Sequence, residues 1–385
     1  MGGLAAALAA SRAGWQARLY EEAPAFSEVG AGLQLGPNAT RILRGWGLLD
    51  ALRAHAAFPQ RLLVRDAASG GQLGLLRLGE RCEARYGAPY ATIHRADLHG
   101  LLLHGAQAAG SLLHLGTRVA SVAQGSGAVQ ACVEDGRELE ADALAVADGL
   151  WSGLRTQLLG DGTPRPTGHV AYRGLVRQAD LPPALRSSDV TAWLGPRLHL
   201  VAYPVRRGEW LNVACFVEGR LGGAGGDAGA SNWDNAAVAA DLQQAMGSTC
   251  AVLGDLVQAV PAWRLWVLHG REPVGSADEM ARGRIALLGD AAHPMPPYLA
   301  QGAAMAIEDA EALGSVLGAA GDGVMDVETA LRRYALSRWQ RCARVQRRSI
   351  RNGRIFHARG PLRWGRDAGM AVLGERLLDV PWLYR

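Results

Sequence analysis

The sequence predicts an α/β protein in which a discontinuous, Rossmann-like nucleotide-binding domain is interrupted by a domain built on an antiparallel sheet, with helices at the C-terminus. Three observations predict it. The chain opens with Gly2 and Gly3 running into an alanine-rich amphipathic segment, then a short apolar stretch, Ala17 to Tyr20, stops at Glu21. That is the back half of a dinucleotide-binding βαβ unit, in which the last glycine opens the helix and an acidic residue about 20 positions on holds a ribose hydroxyl. From Gly168 to Val267 the texture turns β-rich, in stretches such as HVAYRGLVRQ and LHLVAYPVRRGEWLNVACFVEG. At RIALLGDAAHPMPPYLAQGAAMAIEDA the strand, turn and helix style of the opening returns, so the sheet domain splits the nucleotide-binding domain.

Residues 1–60, 91–165 and 280–330 are expected to form the nucleotide-binding domain, residues 61–90 and 166–279 the sheet domain, and residues 331–385 a C-terminal helical region. The opening reads as helix, strand, the glycine-rich loop EVGAGLQLGPNA and a helix ending near Gly47. RLLVRDAASGGQLGLLRLGE reads as two strands joined by an Asp-Ala-Ala-Ser-Gly-Gly turn, a hairpin signal. Asp97 to Ala109 reads as helix, and TRVASVAQ, AVQACVED and RELEADALAVAD as an antiparallel ribbon ending in a buried strand. RLGGAGGDAGASN reads as an exposed, flexible loop.

A chain of 385 residues, 49% apolar and 20% charged, suits a compact enzyme of two domains rather than a disordered protein. No apolar run reaches the roughly 18 residues of a membrane span, and no basic segment marks a signal peptide. The five cysteines lie far apart with no CxxC pair, so neither a disulfide framework nor a metal site is expected, and the reduced cytoplasm is the expected location. All 40 basic residues are arginine, which excludes a Schiff-base or Walker lysine. Nine of them fall between Arg332 and Arg354 with no carboxylate among them, and the spacing sets Arg338, Arg341, Arg344, Arg348 and Arg351 near one helical face. This is a solvated face of a long helix, or a field that steers an anionic substrate or cofactor. Without interleaved aromatics it is not a nucleic-acid surface.

Acidic residues recur at strand ends. Glu21 follows the first apolar stretch; Asp148 and Gly149 follow another in ALAVADGLWSGLR, with Ser152 and Arg155 just beyond; Asp290 follows a third in GRIALLGDAAHPMPPYLAQGAAMAIEDA. An aspartate there can cap a helix. It can equally bind ribose or ribitol hydroxyls, while free backbone N–H groups at a helix start, here at Gly302, suit a ring edge or phosphate. Three such sites in one chain are hard to attribute to capping alone.

Glu21, EVGAGLQLGPNA, IHRADLHGLL, ADGLWSGLR and GDAAHPMPPYLAQGAAMAIEDA, in this order, resemble the motifs of the single-component FAD-dependent aromatic hydroxylases, the salicylate and 3-hydroxybenzoate hydroxylase branch of the para-hydroxybenzoate hydroxylase group. The resemblance runs from Gly2 to about Arg332 and implies a glutathione-reductase-type FAD-binding domain, with FAD as cofactor and NADH or NADPH as electron donor. It implies that Gly2 and Gly3 end the G-x-G-x-x-G turn, that Glu21, with Glu22 beside it, holds the adenosine ribose, and that the backbone at Val119 meets the adenine. Arg95 would reach the pyrophosphate, its alternative being a surface salt bridge. Gly32, Leu33 and Gln34 would lie along the isoalloxazine, Asp290 at the ribitol, and the Gly302 and Ala303 amides near N1 and the C2 carbonyl. Asp148 and Gly149 belong to a motif that serves both FAD and NAD(P)H.

The implied reaction is hydroxylation: NAD(P)H reduces FAD, O2 is captured as a C4a-hydroperoxide, and the distal oxygen passes to an electron-rich ring carbon. The protein has to exclude water and keep the substrate phenol partly ionised. Tyr203 is expected to meet a substrate hydroxyl, its alternative being a plain core tyrosine, with His199 and Arg206 nearby in HLVAYPVRRGEWLN. Gln34, Arg173 and His293 complete the candidate catalytic set. Arg173 either binds a substrate carboxylate or pairs on the sheet, and His293 either acts at the ring or is packed in its loop. Some members of the group carry histidine at the position of Gln34 and others at that of Ala202; this chain has neither, and Pro297 stands where the 3-hydroxybenzoate enzymes have a polar amide. A small, salicylate-like phenolic acid is therefore the expected substrate, with a larger polyketide or quinone-type ring as the alternative. The expected assembly is a monomer or homodimer.

The chain begins without the first strand and first two glycines of the βαβ unit. A start about 10 to 15 residues upstream is expected on this ground, with weak FAD retention in the 385-residue form and recovery on restoring the strand. A non-catalytic flavoprotein is the corresponding rival reading.

Overall fold

The computed structural model describes residues 1–26, 31–125, 127–219 and 235–385. They gather into two units, one of Met1–Glu28, Leu98–Arg165 and Gly270–Ser349, the other of Val29–Asp97, Pro166–His269 and Ile350–Arg385. Residues 31–60, grouped in the sequence with the nucleotide-binding segments, lie in the second unit.

In the first unit, the alanine-rich opening forms the helix Gly2–Arg12, whose side chains from Leu4 to Ala9 are buried. It packs on the helix Gly302–Gly321 through small residues. A Cβ on Gly314 would come within 2.9 Å of Ala9 Cβ, so the backbones touch where both sequences are stripped of bulk. The strand Arg18–Tyr20 pairs in parallel with Leu112–His114, and Leu144–Val146 in parallel with Ile285–Leu287. The strands Val119–Gln124, Val129–Val133 and Glu138–Ala141 form the antiparallel ribbon expected from their alternation.

The second unit is built on an eight-stranded sheet in the order Asn235–Ala237, Trp263–Gly270, Arg165–Arg177, Trp210–Glu218, Leu198–Val205, Val190–Gly195, Arg61–Asp66, Gln72–Arg77. The last two strands are the expected hairpin, joined to the rest by a parallel pairing with Val190–Gly195. Side chains alternate between faces. One face buries Tyr172, Leu200, Val213, Cys215 and Trp263 with residues of the helices Ala239–Met246 and Ala251–Ala259. The opposite face receives Arg173, opposite Ala214, and Tyr203, opposite Asn212.

Two expectations are corrected. Gly32–Leu35, read as part of a loop, is a strand that pairs antiparallel with Ala91–His94, because Gly32 N–H donates to Asn212 Oδ1 at 2.7 Å and is held against the sheet. Glu28, Val29 and Gly30 of the same motif, and RLGGAGGDAGASN, lie outside the described residues. The arginine-rich segment is the helix Val327–Phe356, but its arginine face is not uniformly solvated. Arg338 is 6% exposed; its Nε donates to Asp309 Oδ1 and its Nη1 to Glu308 Oε2, each at 2.8 Å. Arg341 Nε joins Glu308 Oε2 at 2.6 Å, while Arg344 and Arg351 stay exposed. The carboxylates that draw two arginines inward come from the facing helix, where local spacing does not reveal them. Further helices follow at Gly360–Leu373 and beyond, and no helix among the described residues is long and apolar enough to cross a membrane.

Candidate functional site

In the first unit, the strand Ile285–Leu287 runs into Gly289, whose φ of 58° is accessible to glycine at little cost. Its N–H donates to Asp309 Oδ2 at 2.9 Å. The turn Gly289–Ala291 then carries Asp290 into an exposed position close to the start of the helix Gly302–Gly321; a Cβ on Gly302 would lie 3.9 Å from Asp290 Oδ1. Gln301 precedes this helix without a side-chain cap bond, so the first-turn N–H groups, Gly302 and Ala303 included, have no capping oxygen from that residue. A carboxylate beside uncapped amides can hold hydroxyls and an electron-rich group together.

The other first-unit candidates surround comparable turns. Gly2 lies where a Cβ would approach Leu288 Cδ1 to 2.9 Å, and Gly3 where one would approach Leu19 Cδ1 to 3.4 Å, so these glycines admit close approach of helix and strands. Glu21 turns back to accept from Ala23 N–H at 3.0 Å, and Glu22 stands 3.7 Å from Arg118 at the surface. Val119 opens the ribbon. Asp148 is exposed, Gly149 has φ 81°, and Ser152 supplies the side-chain cap of the next helix by accepting from Arg155 N–H at 2.8 Å. Arg155 is buried and donates to Ala291 O at 2.9 Å, so one guanidinium ties the Asp148 segment to the Asp290 turn.

His293 is fully buried, its Nε2 2.5 Å from Asp309 Oδ2. Burial alone would lower its pKa, but the Asp309 carboxylate overrides burial and raises it well above the ordinary histidine range. Burial would likewise raise Asp309, and His293 and Arg338 instead hold it far below the carboxylate range.

In the second unit, Tyr203 and Arg173 share the sheet face that meets the strand Gly32–Leu35. A Cβ on Gly32 would come within 2.6 Å of Tyr203 Cε2, so only glycine fits there. Gln34 Oε1 accepts from Tyr90 Oη at 2.6 Å, and Gln34 also hydrogen-bonds Tyr203. Burial pushes the Tyr203 hydroxyl up to about 12, against the opposing charge of Arg173. Burial draws the Arg173 guanidinium down to about 10, which leaves it protonated at neutral pH. It lies 4.2 Å over the Trp266 ring, and among the described residues no carboxylate pairs with it. Asn212 Nδ2 is buried without a hydrogen-bond partner among the described residues. Arg95 opens the helix Arg95–Ala108 and its N–H donates to Ala31 O at 2.7 Å. His199 is on the same sheet face but is engaged elsewhere: it stacks on Phe216, and its Nδ1 is 2.7 Å from His357 Nε2. Arg206 is drawn to Asp97 at 3.4 Å.

Sequence reasoning missed Asp309, Asn212, Tyr90 and Trp266. Only Asn212 left a signal, a polar residue inside the apolar run of EWLNVACF.

The model of the FAD binding domain family matches residues 1–349. The chain is 38% identical over 387 residues to the 3-hydroxybenzoate 6-hydroxylase of Polaromonas naphthalenivorans (strain CJ2), covering 100% of this chain and 93% of that protein. It is 38% identical over 388 residues to the 3-amino-4-hydroxybenzoate 2-monooxygenase PtnB3 of Streptomyces platensis, covering 99% of this chain and 93% of that one. The solved structure of Klebsiella pneumoniae HpxO complexed with FAD and uric acid superposes with a TM-score of 0.84 at 25% identity, over 98% of this chain and 92% of that chain. A family match over most of the length, joined by hydroxylase and monooxygenase relatives that span the whole chain, settles its kinship: the chain belongs to the FAD binding domain family and is an FAD-dependent monooxygenase.

Proposed function

We propose that the enzyme hydroxylates a small phenolic aromatic acid, with O2 as oxidant and NADH or NADPH as electron donor. One observation carries the reading. Arg173 is a protonated guanidinium set against Trp266 on the face that holds Tyr203, and no carboxylate of the described chain neutralises it. A substrate carboxylate on Arg173, its ring near Trp266 and its hydroxyl at Tyr203, would satisfy all three groups. The relatives named for 3-hydroxybenzoate and 3-amino-4-hydroxybenzoate support the class, since each of those acids carries a carboxylate and a phenol on one ring. The unpaired state of all five cysteines supports the cytoplasm as the compartment.

FAD supplies the redox chemistry with dioxygen and accepts hydride from the nicotinamide. In the first unit, Gly2, Gly3, Glu21, Glu22, Val119, Asp148, Gly149, Asp290, Gly302 and Ala303 are the residues we assign to the cofactor. The uncapped helix start beside Asp290 fits a ribitol chain and ring edge. In the second unit we assign Gly32, Leu33, Gln34 and Arg95. Tyr203, with its hydroxyl kept protonated, orients the substrate phenol rather than removing its proton. Gln34 fixes Tyr203, His293 supports the Asp290 turn through Asp309, and His199, held by His357, stands back from the substrate as part of the sheet.

Removing the Asp290 carboxylate tests the cofactor assignment. Asp290→Ala is expected to weaken FAD binding about 10- to 100-fold, the equivalent of a charge-assisted hydrogen bond of about 1.5 to 3 kcal/mol. Bound flavin is read from the visible spectrum after gel filtration, and full occupancy in the variant would remove Asp290 from the site.

The substrate class is tested by NAD(P)H oxidation and product analysis with salicylate, the hydroxybenzoate isomers and the matching phenols without a carboxylate. At least one acid is expected to stimulate oxidation and yield a hydroxylated product, while its decarboxylated partner needs about 10- to 100-fold higher concentration. Background rates with every acid, alongside turnover of a quinone or polyketide ring, would transfer the assignment to the larger-ring alternative.

A further inference from the structure

The opening expectation of no metal site rests on local spacing, and it overlooks what the sheet brings together. In the second unit, His169 is the direct cross-strand partner of Glu218, so both side chains stand on one face. His199 reaches the same face through its pairing with Phe216. His357, just beyond the helix Val327–Phe356, completes the group. We propose that His169, Glu218 and His357 form a binding site for a divalent transition cation of the zinc class, distinct from the residues assigned above to FAD and substrate.

The donor atoms are already convergent. One ligand atom from each residue lies within 4.8 Å of the others. A tetrahedral ion with bonds near 2.1 Å needs its donors roughly 3.4 Å apart, a closure that small side-chain rotations supply. His357 Nδ1 stands 3.9 Å from Glu218 Oε1, and the His169 and His357 ring centroids are 4.9 Å apart.

The surroundings resemble the supporting shell of a metal centre. His357 Nε2 is taken by His199 Nδ1 at 2.7 Å, which orients the ring and directs Nδ1 toward Glu218. Glu218 divides its oxygens: Oε2 is 3.2 Å from Arg359 and 3.9 Å from Arg197, while Oε1 faces His357. Backbone bonds tie the contributors together, from Arg197 N to His357 O at 3.2 Å, from Glu218 N to Arg197 O at 2.8 Å and from Gly219 N to Gly168 O at 3.0 Å.

Two imidazoles and one carboxylate suit zinc and its first-row neighbours rather than magnesium or calcium, which take oxygen ligands. The nearby Arg197 and Arg359 charges oppose a cation, which places the expected affinity on the order of micromolar rather than nanomolar. A second, fully buried cluster, His293, Asp309 and Cys342, is the weaker candidate. There the Asp309 oxygens are already engaged by His293, Arg338 and the Gly289 N–H.

The test uses the FAD-loaded enzyme, stripped with a chelator and then dialysed to equilibrium against Zn2+, with bound metal read by elemental analysis. One saturable Zn2+ per chain is expected, together with a chelator-reversible rise in Tm. His169→Gln and Glu218→Gln are each expected to weaken binding at least tenfold and abolish the Tm rise, while retaining FAD and the metal-free Tm. His357→Gln is the third arm, and the first two stand if it fails to fold. Absence of saturable binding, or binding unchanged in both His169→Gln and Glu218→Gln, overturns the site.

Discussion

Arg173→Gln is expected to lower kcat/KM for the phenolic acid substrate by two to three orders of magnitude, mostly through KM, while leaving flavin content unchanged. Arg173 sits on the strand Arg165–Arg177 opposite Ala214 on one side, and its guanidinium lies over Trp266 of the strand on the other. A carboxylate bound there has left water, so deleting its cation strands a desolvated charge at a cost of about 3 kcal/mol or more. Arg173→Lys keeps the charge but not the planar fork and is expected to fall between, at roughly tenfold. The discriminating arm is the substrate without a carboxylate, for which the wild type and Arg173→Gln should differ by less than about threefold. Equal losses on acid and phenol would show that Arg173 supports the sheet rather than the substrate. Removing its charge also lets the Tyr203 hydroxyl rise further, since that charge now opposes the effect of burial.

What the sequence discloses follows the range of the interactions involved. The Asp290 turn was legible because everything that makes it, an apolar strand, Gly289 and a helix start at Gly302, lies within a short segment. The hairpin Arg61–Asp66 with Gln72–Arg77 and the ribbon were legible for the same reason, through alternation and turn residues. Gly32–Leu35 was not, because its strand character comes from Ala91–His94 and its anchor from Asn212, both remote in sequence, and nothing near Gly32 points to either. Arg173 was legible as a choice of two roles. Trp266 and the lack of a carboxylate partner among the described residues are tertiary facts on which the proposed substrate role rests. His357 escaped notice altogether, since only the fold lays a helix end over His169, His199 and Glu218.

Asp309→Asn is the second large effect, and it concerns stability and its pH dependence. The Asp309 carboxylate is fully buried and receives His293 Nε2 at 2.5 Å, Gly289 N–H at 2.9 Å and Arg338 Nε at 2.8 Å. Asparagine keeps the shape but leaves the buried Arg338 guanidinium facing a neutral amide and removes the anion that keeps His293 charged, at a cost of about 3 to 5 kcal/mol, or roughly 10 °C in Tm. The pH dependence identifies the cause. Asp309 is held below its unfolded value near 4, so its contribution is present above that pH and is lost on acidification. His293 is raised above its unfolded value near 6.5, so its contribution is complete below that pH and fades as pH rises toward the folded value. The pair therefore stabilises the wild type most between about pH 4 and 6.5. In Asp309→Asn the anion that keeps His293 protonated is gone and burial then favours the neutral ring, so the variant's stability should rise with pH up to about 6.5 and level off above it, where that of the wild type declines. The Tm difference between the two proteins is thus expected to be widest near pH 5 and to narrow toward pH 8.5. Because Gly289 loses an anchor in the same substitution, FAD affinity should fall with it through the Asp290 turn. A Tm gap that stays constant from pH 5 to 8.5 would mean that His293 is neutral in the wild type and that the buried pair is a hydrogen bond rather than an ion pair.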